Sequence, residues 1–452
     1  MNFDSVFVLG CFLPLTVFLY WLLRKNKLRN GLLLAVSLVF YAFGSLSGLL
    51  LLLAAILVNF CMGLWLQKAK KRKLLCGITV AANLLFLGAY KYLNFLLGAE
   101  TVSLVAPLGI SFFTFKCISY IVDTCRDPDK GTKNIFRFAL YVSFFTQITA
   151  GPITRFEQFA PQLEKDRPMQ VPEGLRRFVI GLGKKLILSG SLAQLTDGVF
   201  ALSAPDARLA WLGAISYMLQ IYFDFSGYSD MAIGVGQMFG LVTPENFNHP
   251  YVAGSITDFW RRWHISLSTW FKDYLYIPLG GNRKGKFRAA LNKAIVFTLC
   301  GLWHGANWTF LVWGAWHGLL SAFESFKKIT PKKLPGKILA HIYALLAVCL
   351  GFVMFRAGSL QQGFAMIGAM FTGFAFHEVN TVALYSLLNA ESICMLVLGA
   401  VLCLPWVQWI QKREKLAGKL APISWIVCLL LFALCLLKLA AGGFAPFIYA
   451  QF

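Results

Sequence analysis

Apolar runs of about twenty residues recur along the chain, and the gaps between them carry clusters of lysine and arginine. A run of that length is what one α-helix needs to cross a hydrocarbon core of ~30 Å, where every backbone polar group must be satisfied internally. Basic clusters at its ends mark the cytoplasmic side. The composition fits: 58% of the 452 residues are hydrophobic and 14% are charged, outside the soluble globular range. The formal net charge of +22 does not imply a nucleic-acid partner, because the cations sit in short clusters beside apolar runs and no separate basic domain carries them. Their natural counterpart is the anionic surface of the lipid bilayer. The eleven cysteines are scattered, with no Cys-x-x-Cys and no Cys–His pairing at zinc-ligand spacing, so they read as small hydrophobes and no metal or cofactor is expected.

Taken in order, residues 5 to 23 are the first expected span, retained because Asp4 precedes it and Arg24, Lys25, Lys27 and Arg29 follow, the reverse of a signal peptide. The N-terminus then lies outside. Spans near 30 to 43 and 49 to 66 return the chain to the cluster Lys68, Lys70, Lys71, Arg72 and Lys73, and those near 74 to 97 and 108 to 125 lead to Arg126, Lys130, Lys133 and Arg137. Between 138 and 255 the periodicity weakens. Gly151-Pro152 and Pro161 predict a broken or re-entrant piece, tolerated at membrane depth only where it is buried in protein or lines a cavity. Asp224 and Asp230 stand among aromatics and call for buried cationic partners, a proton path or a wet helix end. Toward the C-terminus, two basic clusters at 327 to 337 and 412 to 419 require an even number of crossings between them. That makes 338 to 355 and 382 to 409 spans, leaves 361 to 375 interfacial, and lets a last span near 423 to 442 put Phe452 outside. The whole of 1 to 452 reads as a single integral membrane domain with no linker and no internal repeat.

The stretch from Asp258 to Gly318 concentrates the chemistry. Seven of the 13 tryptophans fall in it, and Gly301-Leu-Trp-His304-Gly305 and Trp313-Gly-Ala-Trp-His317-Gly318 place imidazoles among apolar residues. An imidazole can accept a proton from a hydroxyl and return one to a leaving thiolate, the proton traffic of acyl transfer from a thioester. On one continuous helix His304 and His317, 13 residues apart, would be separated by about 20 Å and about 220°, so they do not form a dyad. The alternative is that both satisfy interhelical hydrogen bonds. No Asp or Glu lies between Asp273 and Glu324, so an acidic partner must come from elsewhere, and Asn307 is the side-chain amide between the two histidines. Trp303, Trp313 and Trp316 can line a substrate path or sit in an interfacial belt. Arg261, Arg262 and Arg283 can face lipid headgroups or dock the phosphates of an acyl-CoA. His264 is expected on the cytoplasmic face. Gly301 with Gly305, and Gly314 with Gly318, are small-xxx-small pairs suited to close helix approach.

Several motifs together resemble the membrane-bound O-acyltransferase (MBOAT) superfamily, in its bacterial polysaccharide-acetylating branch. They are Pro107-Leu-Gly-Ile-Ser-Phe-Phe-Thr-Phe115, Phe223-Asp-Phe-Ser-Gly-Tyr-Ser-Asp230, Asn246-Phe-Asn-His-Pro250, Asp258-Phe-Trp-Arg-Arg-Trp-His264, Leu279-Gly-Gly-Asn-Arg283 and the two His-Gly motifs. The resemblance implies an all-α polytopic membrane protein, a helical bundle with a central funnel or tunnel. It also implies catalysis by His317 with His304 as a second important position. An acetyl group would pass from cytoplasmic acetyl-CoA to a cell-envelope polysaccharide at the bacterial inner membrane, through an extracytoplasmic acetyltransferase partner. The neighbouring branch that transfers D-alanine to teichoic acid, and a proton-coupled transporter, are the competing readings.

Overall fold

The computed structural model describes residues 3–97, 104–165, 167–442 and 447. They form helices α1 (Leu13–Leu22), α2 (Asn26–Ala42), α3 (Leu46–Lys68), α4 (Arg72–Leu97), α5 (Ile110–Arg126), α6 (Ile135–Ser143), α7 (Phe156–Phe159), α8 (Val171–Gly183), α9 (Gly190–Phe200) and α10 (Ala207–Met238). Then follow α11 (Ile256–Arg262), α12 (Ile265–Phe271), α13 (Gly285–His304), α14 (Trp308–Phe326), α15 (Leu334–Arg356), α16 (Leu360–Thr372), α17 (Glu378–Leu387), α18 (Ala390–Leu402), α19 (Trp406–Gln411) and α20 (Glu414–Ala440). No strand occurs among the described residues. Among the described residues, five helices are long and apolar enough to cross a membrane: α3, α4, the continuous stretch Val171–Phe200, α15 and the Pro422–Ala440 part of α20. The protein is an all-α, multi-pass membrane protein.

Three expected spans are shorter than the ~20 residues a lipid-exposed crossing needs. The apolar helix at the N-terminus covers Val8–Leu22, while α2 and α5 have 17 residues each. For α5 the reason is visible: nearly all its side chains are buried, Lys116 and Asp123 included, so its environment is protein. Most of the run 382 to 409, expected as one span, falls in the pair α17 and α18, which together are long and apolar enough to cross but are bent by 72° where the Asn389 side chain accepts from the Ser392 amide and starts a new helix. Helix α16 has 13 residues, about 20 Å, too short to cross. The end of the chain at Phe452 lies outside the described residues.

The helices gather into two compact units, Met1–Phe178 with Tyr228–Glu245, and Val179–Gly227 with Asn246–Phe452. In the first, α3 and α4 are pinned by the side-chain amides of Asn59 and Asn83, which donate to each other reciprocally at 3.1 and 2.9 Å. The irregular stretch from Phe144 to Arg155 is almost entirely buried, as Gly151-Pro152 predicts for a broken piece at membrane depth. It is held from within: the Lys116 ammonium donates to the Tyr141 carbonyl and to Gln147 Oε1, both at 2.8 Å, and Thr154 Oγ1 donates to the same Gln147 oxygen. This is how non-helical backbone survives without water. Asp230 accepts from Arg177, which also binds Glu245. The second unit carries all three histidines of the central stretch, His264, His304 and His317.

Candidate functional site

Helices α13 and α14 form a hairpin, because Gly305-Ala306-Asn307 breaks the helix between the two histidines. Gly305 is extended (φ 172°), and Asn307 Oδ1 accepts from the Thr309 amide to start α14. The geometry assumed for a continuous helix therefore does not apply. The helices touch at Gly301 and Gly314, where a Cβ on either would lie 3.1 Å from the Cα of the other and under 2.6 Å from a backbone carbonyl oxygen. The small-residue pattern acts here as a packing device.

His317 is fully buried on α14. Its Nδ1 accepts a hydrogen bond from Trp260 Nε1–H at 3.3 Å. Around the ring stand Trp260 (centroids 5.2 Å apart), Trp313 (5.3 Å), and Phe259 and Phe297 (6.4 Å each). Nε2 has no hydrogen-bond partner among the described residues, and it faces α15 at Gly351, where a Cβ would come within 2.7 Å of it. A buried polar nitrogen left open in this way is costly unless a ligand or water meets it. His304 ends α13 against Trp303 (4.8 Å), Trp313 (5.1 Å) and Phe355 (5.1 Å). The Trp313 indole thus contacts both imidazoles.

Of the other residues singled out by sequence, Trp303 and Trp313 belong to this cluster. Trp316 is turned toward α15, donating to the Ala347 carbonyl at 2.8 Å, and Asn307 caps α14 and reaches Gly358 O at 3.4 Å. Arg261 and Arg283 are exposed, and Arg262 pairs with Asp258 one turn back at 3.1 Å. His264 is not on a surface: it is fully buried, with Nδ1 3.2 Å from Asn246 Oδ1 and its ring edge-on to Phe225 at 4.6 Å.

Two contributors escaped the sequence reading. Glu324 is buried on α14, and its carboxylate accepts from the first amides of α11, Ile256 N at 2.7 Å and Thr257 N at 2.8 Å, where the helix dipole favours an anion. It lies seven residues after His317, on the same helix face. One face of α14 therefore grips α11 twice, at its N-terminus through Glu324 and at Trp260 through His317. The i, i+7 spacing was the available signal. Gly351 is the other, and a lone glycine in an apolar run carries no signal of its own. Gly351→Ala should leave the helix intact yet push on Nε2, so acyl transfer should fall by about 100-fold, as misplacement on that scale does in other enzymes. Transfer assays at matched expression check this.

A buried imidazole with one nitrogen anchored and the other without a partner among the described residues can exchange a proton or a hydrogen bond with a bound substrate. Residues 36–333 match the model of the MBOAT, membrane-bound O-acyltransferase family, and the chain belongs to that family. It is an O-acyltransferase. Among its relatives, a probable alginate O-acetylase AlgI of Azotobacter vinelandii is 40% identical over the full length of both chains. A peptidoglycan O-acetyltransferase of Helicobacter pylori is 37% identical, covering 81% of this chain and 79% of that one. A teichoic acid D-alanyltransferase of Bacillus subtilis is 31% identical, covering 64% and 79%.

Proposed function

We propose that this protein moves an acetyl group from acetyl-CoA on the cytoplasmic side of the bacterial inner membrane to a hydroxyl of an alginate-like or other envelope polysaccharide. An extracytoplasmic acetyltransferase completes delivery. The observation that carries the reading is the open Nε2 of a fully buried His317 beside Gly351. The higher identity and wider coverage of the O-acetylating relatives favour acetyl over D-alanyl transfer. In the simplest scheme His317 is the general base for the attacking hydroxyl, which needs the lone pair on Nε2. A second role, as hydrogen-bond donor to the thioester carbonyl, is favoured by the Trp260 contact at Nδ1.

The test is transfer of radiolabelled acetyl from acetyl-CoA, presented to the cytoplasmic face of membrane vesicles, into the polysaccharide fraction, for wild type, His317→Ala and His304→Ala. No label with wild type, partner proteins present, would sink the acetyl reading and advance D-alanyl transfer. The acetyl group passes directly to the acceptor hydroxyl, with no covalent enzyme intermediate. Cys300, a buried free thiol on α13 four residues before His304, is the cysteine nearest that histidine along the chain. Cys300→Ala should retain transfer within about twofold; its loss in a folded protein, by a mechanism worth far more than the ~1 kcal/mol of a small core change, would require an acyl-cysteine.

A further inference from the structure

We infer that Trp260 is a positioning residue that fixes the tautomer of His317, holding the proton on Nε2 so that the histidine meets an acyl thioester as a hydrogen-bond donor. The inference rests on the acyl-transfer reading for its chemistry and on the geometry alone for the tautomer. An indole N–H only donates. The nitrogen that receives it must present a lone pair, and in a neutral imidazole the other nitrogen then carries the hydrogen. Because Trp260 Nε1 lies 3.3 Å from Nδ1, the proton belongs on Nε2. The opposite tautomer would set two N–H groups against each other in a buried place.

Trp260 is seated firmly enough to enforce this. Its ring packs on Phe297 at 5.0 Å and Trp313 at 5.7 Å, and its helix α11 is held at the N-terminus by Glu324 from the helix that carries His317. Both partners of the hydrogen bond are thereby referred to one rigid element. The Nε2–H faces the space kept by Gly351. Trp313 Nε1, another buried donor with no hydrogen-bond partner among the described residues, belongs to a ring that stands edge-on to His317 at 5.3 Å.

In this arrangement the thioester carbonyl oxygen accepts from Nε2–H. The acceptor hydroxyl oxygen bonds to the carbonyl carbon, and the negative charge that gathers on the carbonyl oxygen strengthens that hydrogen bond, which is where a fixed donor accelerates the reaction. Collapse breaks the carbon–sulfur bond, and the proton given up by the hydroxyl leaves with the thiolate as thiol. His317 keeps its proton throughout, as neutral histidine electrophiles do.

The test uses the full chain labelled with [15N]histidine in lipid nanodiscs. His317→Gln identifies the His317 signals among those of six histidines. In wild type, Nδ1 is expected to resonate as an unprotonated nitrogen and Nε2 as a protonated one. In Trp260→Phe, which keeps the ring packing and removes the N–H, the two forms should mix and acetyl transfer should fall about tenfold, the value of one lost hydrogen bond. A wild-type His317 protonated on Nδ1 would overturn the inference, as would a Trp260→Phe protein with the wild-type spectrum and rate. Should Trp260→Phe fail to fold, the wild-type spectrum decides alone. Absence of transfer by wild type would count against the acyl-transfer reading and leave the tautomer measurement standing.

Discussion

His317→Ala should reduce acetyl transfer by about 10³-fold while the protein still inserts and purifies as wild type, because a positioned imidazole is worth about 10²–10⁴ in rate. The site explains why so much rests on one residue. It is fully buried, and among the described residues its Nε2 has no hydrogen-bond partner. Truncation also leaves Trp260 Nε1–H without its acceptor, a cost of about 1–3 kcal/mol that thermal unfolding in detergent would register separately. His317→Gln separates the two roles. A glutamine amide can donate from near the position of Nε2 but is no base, so recovery of about tenfold over His317→Ala supports donation, whereas equal inactivity supports the general base. His304→Ala should be milder, since that ring reaches His317 through Trp313.

The membrane class was legible from apolar run lengths, because the bilayer imposes a fixed thickness on any exposed helix. That logic weakens where protein replaces lipid, as around α5, whose buried Lys116 and Asp123 are sheltered by neighbouring helices. The break between His304 and His317 was written in the sequence, in Gly305 and the capping Asn307, yet apolar flanks concealed it and a continuous helix was the simpler expectation. Asn307 shows the same ambiguity from the other side: its amide has a local duty at the start of α14, and composition cannot distinguish a cap from a substrate ligand. Trp260 was visible only as one of seven tryptophans. Its pairing with His317 spans 57 residues, and sequence spacing reports neighbours along one helix but not partners on another. Gly351 matters through an atom it lacks.

Asp224 gives the largest expected effect on stability. Cationic partners were one of three readings open for Asp224 and Asp230 in the sequence; the partners, Lys185 and Arg177, were set by the packing of α10 on the helix that contains both. Lys185 and Asp224 are each 3% exposed and lie 2.9 Å apart, and Gly227 permits the approach, since a Cβ there would sit 2.7 Å from the Gly181 carbonyl oxygen. Asp224→Ala should destabilise the protein by about 3–5 kcal/mol, because it takes the carboxylate from a buried ammonium that water cannot reach. The double change Lys185→Met with Asp224→Leu removes both charges at similar volume and should return stability to near or above wild type, since a buried pair gains little over apolar packing. Thermal unfolding of the three proteins in one detergent checks this. If the double variant remained as unstable as Asp224→Ala, the pair would be contributing net stability beyond cancelling its own desolvation, and its partners in the surrounding helices would have to be counted with it.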